Sequence, residues 1–164
     1  MNAENTTAIE IRKLTQNSEV EICARMMASS EPWMTLRRNY EESVKTLTVP
    51  SKQVYLAKAN GEIAGFIILI MQGAFIGYIQ TVCVAPEWRS KGIGSELLTF
   101  AEERILRETP NVFMCVSSFN QNAQRLYQRL GYEVVGELKD YIVSGHSEIL
   151  LRKSIAPLTE FTKN

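Results

Sequence analysis

Val82-Cys83-Val84-Ala85-Pro86-Glu87-Trp88-Arg89-Ser90-Lys91-Gly92-Ile93-Gly94-Ser95-Glu96-Leu97-Leu98 is the stretch on which the fold turns. Its first residues close an apolar run from Tyr78 to Val84, rich in β-branched and aromatic side chains, which predicts a buried strand. Pro86 ends that strand, because proline brings no N–H to the ladder. Arg89 to Gly94 follow, and a helical pattern starts at once, with Ile93, Leu97, Leu98 and Ala101 on one face. A strand, a basic glycine turn and a helix together make an anion site. Gly92 and Gly94 carry no Cβ, so a bulky ligand can approach the backbone. The first N–H groups of a helix have no partner inside it and carry roughly half a positive charge. Arg89 and Lys91 add full charges, and a diphosphate suits such a site. A plain tight turn would account for the two glycines alone; the strand, the proline stop and the two cations favour the phosphate.

Outward from this turn the chain reads as alternating short elements. Ala8–Leu14 predicts a first strand. Ser18 is the expected cap of a helix over Glu19–Ala28, and a second helix is expected over Leu36–Leu47, with Leu36, Tyr40, Val44 and Leu47 as its apolar stripe. Gln53–Ala59 and Ile63–Met71 are strands joined by Asn60-Gly61, the strongest short hairpin signal. Phe75–Val84 gives the next strand, and the helix after the turn runs to about Glu108. Val112–Val116 is a strand, and Asn122–Leu130 is a helix ended by Gly131. Tyr132–Gly136 with Tyr141–Val143 reads as one interrupted strand, and Glu148–Arg152 as the last. The order β-α-α-β-β-β-α-β-α-β-β predicts an α+β (mixed α/β) architecture. It is a seven-stranded mixed, mostly antiparallel sheet with four helices on both faces, in which a helix joins the fourth strand to a parallel fifth. One domain over 1–164 is expected, with tails at 1–7 and 155–164 given no structure.

Composition narrows the function classes. Eighteen basic and eighteen acidic residues cancel, which argues against a nucleic-acid partner. Three cysteines, Cys23, Cys83 and Cys115, cannot all pair, and each lies in an apolar run, as in a reduced protein. With one histidine, His146, and no CxxC, no metal is expected; His146 reads as an exposed loop residue. The longest apolar run, Ile63 to Met71, is too short to span a bilayer, so no membrane partner is expected and the cytoplasm is the expected compartment.

The second informative stretch is Asn120-Gln-Asn-Ala123-Gln-Arg-Leu126-Tyr127-Gln-Arg-Leu130-Gly131-Tyr132. Asn120 and Tyr127 lie seven apart, two helical turns, with Ala123 between them on nearly the same face. A helix cap at Asn120 and a core tyrosine at Tyr127 would account for both; beside the phosphate turn, a ligand-facing pair is favoured.

The turn after Val84 is neither a P-loop nor a Gly-x-Gly-x-x-Gly loop. Arg89-x-x-Gly92-x-Gly94 after Val84-x-Pro86 resembles the coenzyme A loop of the GNAT acetyltransferase superfamily. Asn120-x-x-Ala123-x-x-Leu126-Tyr127 followed by Gly131-Tyr132 is similar to the second motif of that family, and the element order covers nearly the whole chain. The resemblance implies acetyl-CoA as co-substrate and direct attack of an amine on the thioester, through a tetrahedral intermediate. It implies that Val82, Val84, Arg89, Ser90, Lys91, Gly92, Ile93, Gly94, Ser95, Asn120, Ala123 and Tyr127 contact the cofactor. Within that set, Tyr127 is the acid for the departing thiolate, and a backbone N–H within Val82–Val84 stabilises the carbonyl oxygen.

The family's base positions hold no carboxylate here: they fall on Tyr78 and Cys115. Glu31, Asp140 and Glu148 are spare candidates, each more often a solvated surface charge. A covalent acetyl-cysteine route would need a base partner that the sequence does not show. Acceptor selection in the family comes from the segments that here hold Trp33 and Tyr141, with Tyr78 between them. Glu31-Pro32-Trp33 and Asp140-Tyr141 are loosely like the ribosomal-protein alanine N-acetyltransferase branch, which points towards a protein N-terminal amine. Trp33 serves equally as a plug between helices. A small-molecule amine acetyltransferase, a catalytically silent CoA-binding domain and a binder of some other nucleotide are the alternatives. Monomer and homodimer are both open.

Overall fold

A computed structural model describes residues 8–163, so the expected tail at 1–7 lies outside the described residues. Seven strands form one sheet in the order β1-β2-β3-β4-β5-β7-β6. β1 (Ile9–Lys13), β2 (Lys52–Ala59), β3 (Glu62–Ile70) and β4 (Tyr78–Val84) run antiparallel in sequence. β5 (Asn111–Ser117) lies parallel to β4, and β7 (Glu148–Ser154) pairs antiparallel with β5 on one side and β6 (Glu133–Leu138) on the other. Four helices cover the sheet: α1 (Asn17–Ala28), α2 (Tyr40–Leu47), α3 (Ile93–Leu106) and α4 (Gln121–Arg129). This is the mixed α+β order that the sequence implies.

The core divides into two clusters, one on each face. Cys23, Ala24 and Met27 of α1 and Leu47 of α2 pack on Leu56, Phe66, Ile68 and Cys83. Leu97, Leu98, Ala101 and Ile105 of α3 pack on Ala57, Ile67, Leu69, Ile79, Val112 and Met114, with Leu126 of α4 and Leu130, the residue that caps its C-terminus, against the same cluster. The central strand β3 is buried on both sides, hence its nearly continuous apolar run. In β4 the register shifts: Leu69 faces Ile79 but Ile68 faces Thr81, leaving Gln80 as an extra residue. The bulge reverses the strand's alternation, so Ile79, Val82 and Val84 all meet the α3 cluster while Cys83 meets the α1 cluster.

Several elements differ from the sequence reading, each for a local reason. α1 starts at Asn17 rather than behind a Ser18 cap; the Glu19 carboxylate reaches back to accept from the Thr15 and Gln16 N–H groups (3.1 and 3.2 Å). α2 begins at Tyr40, not Leu36. Asn39 caps it, accepting from Glu42 N–H (2.9 Å), while the Glu42 carboxylate accepts from Asn39 N–H (3.3 Å). Leu36 is still buried, but in a turn. β4 begins at Tyr78, after Gly73 and Gly77 at positive φ, rather than at Phe75. Tyr141–Val143 is not strand: Asp140 has φ 51° and its carboxylate accepts from Gly145 N–H (2.7 Å), so the segment curls into turns. Within the tail given no structure, Leu158–Glu160 forms one 3-10 turn. Among the described residues no helix is long and apolar enough to cross a membrane.

Candidate active site

β4 and β5 pair only at Tyr78–Phe113 and Ile79–Met114, and then separate. From there to their C-terminal ends the two strands leave a gap that no neighbouring strand fills. A cavity of about 820 Å³ occupies it. Thr81 and Val82 of β4, Cys115 and Ser117 of β5, and Asn120 and Tyr127 line it. Trp33, Tyr78, Tyr141 and Glu148 also line it. Eight residues singled out in the sequence, Val82, Asn120, Tyr127, Trp33, Tyr78, Tyr141, Cys115 and Glu148, therefore meet in one place.

The basic turn stands beyond the end of β4 and does not line this cavity. Pro86–Trp88 forms a 3-10 turn, Ser90 and Gly92 take positive φ (59° and 85°), and α3 begins at Ile93. The first helical bond runs from Glu96 N–H to the Gly92 carbonyl (3.0 Å), so the N–H groups of Ile93, Gly94 and Ser95 stand outside the ladder. A Cβ at Gly92 would meet nothing within 4 Å, and one at Gly94 only Val84 Cγ2 at 3.7 Å. Space over this helix start is therefore open to a bulky anion. Neither cation is displayed as the sequence suggests. Arg89 turns back, Nε donating to the Val84 carbonyl and Nη2 to Ser30 Oγ, each at 3.3 Å. Lys91 Nζ lies 4.9 Å from the centre of the Trp88 ring.

α4 presents its two marked residues to the cavity in different ways. Asn120 is the helix cap, its Oδ1 accepting from Ala123 N–H (3.3 Å), and it still lines the cavity. Ala123 packs against the α3 cluster rather than lining the cavity. Tyr127 packs edge-on against Tyr132 (ring centres 6.0 Å apart), and burial pushes its phenol up to about 12, keeping it protonated at neutral pH. Trp33 fills both expected parts, half-buried against the α1 cluster and lining the cavity.

The acids separate sharply. Glu31 is exposed and accepts from the Thr35 N–H and hydroxyl (3.2 and 3.0 Å), and Asp140 holds the Gly145 turn; neither lines the cavity. Glu148, a spare candidate of a type more often solvated at the surface, is only 4 % exposed and lines the cavity. Its Oε1 accepts from Ser117 Oγ at 2.6 Å, and burial raises its carboxyl above the usual range against the pull of that donor. The available signal is a carboxylate directly before the apolar run Ile149-Leu150-Leu151. Tyr78 lies beside Cys115, and burial holds both phenol and thiol in their neutral forms. Cys83 points into the α1 cluster with its thiol pushed up to about 12, away from the cavity. His146 is not an open loop residue: it is half-buried, its ring 4.8 Å from that of Phe119.

Acetyltransferases are among the known proteins that share this fold. Residues 16–132 match the model of the acetyltransferase (GNAT) family. The chain belongs to that family. It is 36 % identical over 90 residues to an aminoalkylphosphonate N-acetyltransferase of Salmonella typhimurium, covering 51 % of this chain and 58 % of that protein. It is 27 % identical over 111 residues to an N-alpha-acetyltransferase of Sulfurisphaera tokodaii, covering 59 % of this chain and 66 % of that one. The matches thus span less than two thirds of either relative. Among solved structures, the ribosomal-protein-S18-alanine N-acetyltransferase of Escherichia coli has the same fold, with a TM-score of 0.72 and 16 % identity over 94 % of this chain and all of that one.

Proposed function

We propose that this chain is an N-acetyltransferase that moves an acetyl group from acetyl-CoA to a primary amine. The observation that carries the reading is the split of β4 from β5, with a neutral tyrosine at one side of the gap and an open helix start at its end. The Ile93, Gly94 and Ser95 N–H groups hold the pyrophosphate beside Ser90, and Lys91 and Arg89 join them only by leaving the Trp88 ring and the Val84 and Ser30 acceptors. Gly92 and Gly94 leave the room for it. Val82, Val84, Asn120 and Ala123 border the path of the pantetheine arm towards the cavity. Acetyl-CoA supplies an acetyl group already activated as a thioester. A β4 backbone N–H within Val82–Val84 faces the carbonyl oxygen and offsets its growing negative charge. Tyr127, protonated, gives its proton to the leaving sulfur.

The acceptor enters past Trp33, Tyr78 and Tyr141. The names of the two relatives support two classes of primary amine, a protein N-terminal amine and a small-molecule amine; we infer the N-terminal amine as the first to assay. Calorimetric titration of acetyl-CoA with the parent and with Tyr127→Phe, followed by turnover on short peptides and on small amines, tests the reading. Binding is expected in both proteins, with kcat for Tyr127→Phe lowered by about 10²–10⁴-fold. No acetyl-CoA binding by the folded parent overturns it.

A further inference from the structure

Two carboxylates are buried among the described residues, and they are treated oppositely. Glu19 faces the Arg12 guanidinium. Glu148 faces none: it makes no ion pair among the described residues, and its one hydrogen-bond donor is the Ser117 hydroxyl. Register places Ser117 of β5 on one side of it and Leu138 of β6 on the other. Tyr78 of β4 and Cys115 of β5, both held neutral by burial, lie around it, and Tyr141 and Arg38 line the same cavity. A buried carboxylate with no cation is costly as a charge, yet this one opens onto the cavity where an amine would react.

We propose that Glu148 receives the acceptor's ammonium group and takes its first proton, so that the acceptor is a cationic primary amine on an apolar or aromatic body. This rests on the transferase reading above. The apolar part of the remaining wall, Trp33, Phe75, Tyr141, Ile142 and Leu150, is what the acceptor's body would meet, with Arg38, Thr46, Gln72 and Gln80 on the same cavity. An amine at neutral pH arrives protonated and cannot attack. Glu148 removes one proton and passes it to solvent. The freed lone pair forms the C–N bond at the thioester carbon, the C–S bond breaks, and sulfur takes the Tyr127 proton. The nitrogen's second proton, shed once the C–N bond exists, restores Tyr127, so one proton is released for each acetyl group moved. Burial places the Glu148 carboxyl nearer the working pH than a surface glutamate, as a base for this transfer requires.

Glu148→Gln and Ser117→Ala, with 2-phenylethylamine as the probe, test the proposal. The Glu148 carboxyl signal, assigned by ¹³C difference spectra against Glu148→Gln, is expected to titrate above the usual carboxylate range and to move when the amine is added. In turnover, kcat/KM for Glu148→Gln at pH 7 is expected to fall by about 10²–10⁴-fold. The loss shrinks as pH rises and the amine deprotonates itself. Ser117→Ala removes a donor to the charged form, so the acid limb of its profile moves to higher pH. A Glu148 carboxyl with an ordinary titration that ignores the amine overturns the assignment, and so does a Glu148→Gln profile like the parent's. Failure of the parent to bind acetyl-CoA is a separate result, which overturns the transferase reading and leaves the ¹³C titration to decide the amine site.

Discussion

The turn over 85–94 and the segment over 29–39 meet at the Arg89–Ser30 hydrogen bond, yet they are built by different means. The turn is shaped by its own backbone: a 3-10 turn started by Pro86, positive φ at Ser90 and Gly92, and a helix that begins at once. The segment adds side-chain ties to its own backbone turns and owes its position to what it packs on. Ser30 Oγ donates to the Met26 carbonyl (2.7 Å), Arg38 N–H to the Trp33 carbonyl (2.9 Å), and Glu31 ties Thr35. Its partners across the cavity, Tyr141 and Glu148, come from more than a hundred residues later. A ligand common to every member of a family can be met by a contiguous, backbone-defined turn. A variable acceptor is better met by side chains on separate segments, which can change without moving the turn.

Both regions depend on where β4 and β5 part, and the largest effect is expected there. Gly77, at φ +87°, donates to the Ile70 carbonyl (3.1 Å) and accepts from Phe113 N–H (2.9 Å). A Cβ on it would lie 2.5 Å from the Asn111 carbonyl oxygen and 2.6 Å from Ile105 Cγ2. Gly77→Ala combines a left-handed backbone cost with overlap against rigid neighbours, about 3 kcal/mol together. For a chain of this size that lowers Tm by roughly 6–12 °C. A melt within about 2 °C of the parent would show that the start of the gap yields more easily than its contacts indicate.

Substitutions in the turn should separate folding from binding. Gly94 sits inside the first turn of α3, where a Cβ meets only an ordinary contact, so Gly94→Ala should hold or raise Tm by the alanine preference of up to about 1 kcal/mol. Its acetyl-CoA affinity should still drop about tenfold, because the added methyl stands where the ligand must approach. Gly92→Ala has open space but the wrong backbone, so it should lose about 1 kcal/mol of stability as well. Calorimetry and melts on the pair distinguish the two effects. Unchanged affinity in Gly94→Ala would remove this turn from the cofactor site.

The parts legible in the sequence are those whose determinants are adjacent in it. Asn60-Gly61 takes positive φ at both residues and joins β2 to β3, Pro86 ends β4 and Gly131 closes α4. The late start of α2 was hidden because the Leu36 stripe and the Asn39–Glu42 capping box compete, and the box sets the boundary. The curl at Tyr141–Val143 was hidden because its apolar residues read as strand while Asp140 turns the chain. The burial of Glu148 is set by pairing with Ser117, thirty-one residues earlier, a relation no local pattern carries. The bulge at Gln80, which decides which β4 side chains face α3, likewise has no signal of its own.

The smallest effect expected is at the root of α1, the helix that leads into the segment over 29–39. Arg12 on β1 pairs with Glu19, and this guanidinium, helped by the Thr15 and Gln16 N–H groups, holds the Glu19 carboxyl down to about 2. A carboxyl depressed in the folded state adds stability that is complete above its unfolded value of about 4.3 and is lost as pH falls towards 2. Arg12→Met should therefore melt roughly 2–4 °C below the parent at pH 7, and the difference should narrow steadily below pH 4. A gap that stays constant down to pH 2 would assign the effect to lost packing of the arginine stem instead. Acetyl-CoA affinity should be unchanged, since the turn over 85–94 does not rest on this pair. KM for the amine should rise, because Trp33 is carried on the chain that α1 positions. An equal change in both affinities would mean that the Arg89–Ser30 contact ties the two regions into one unit, and that the acceptor side cannot vary alone.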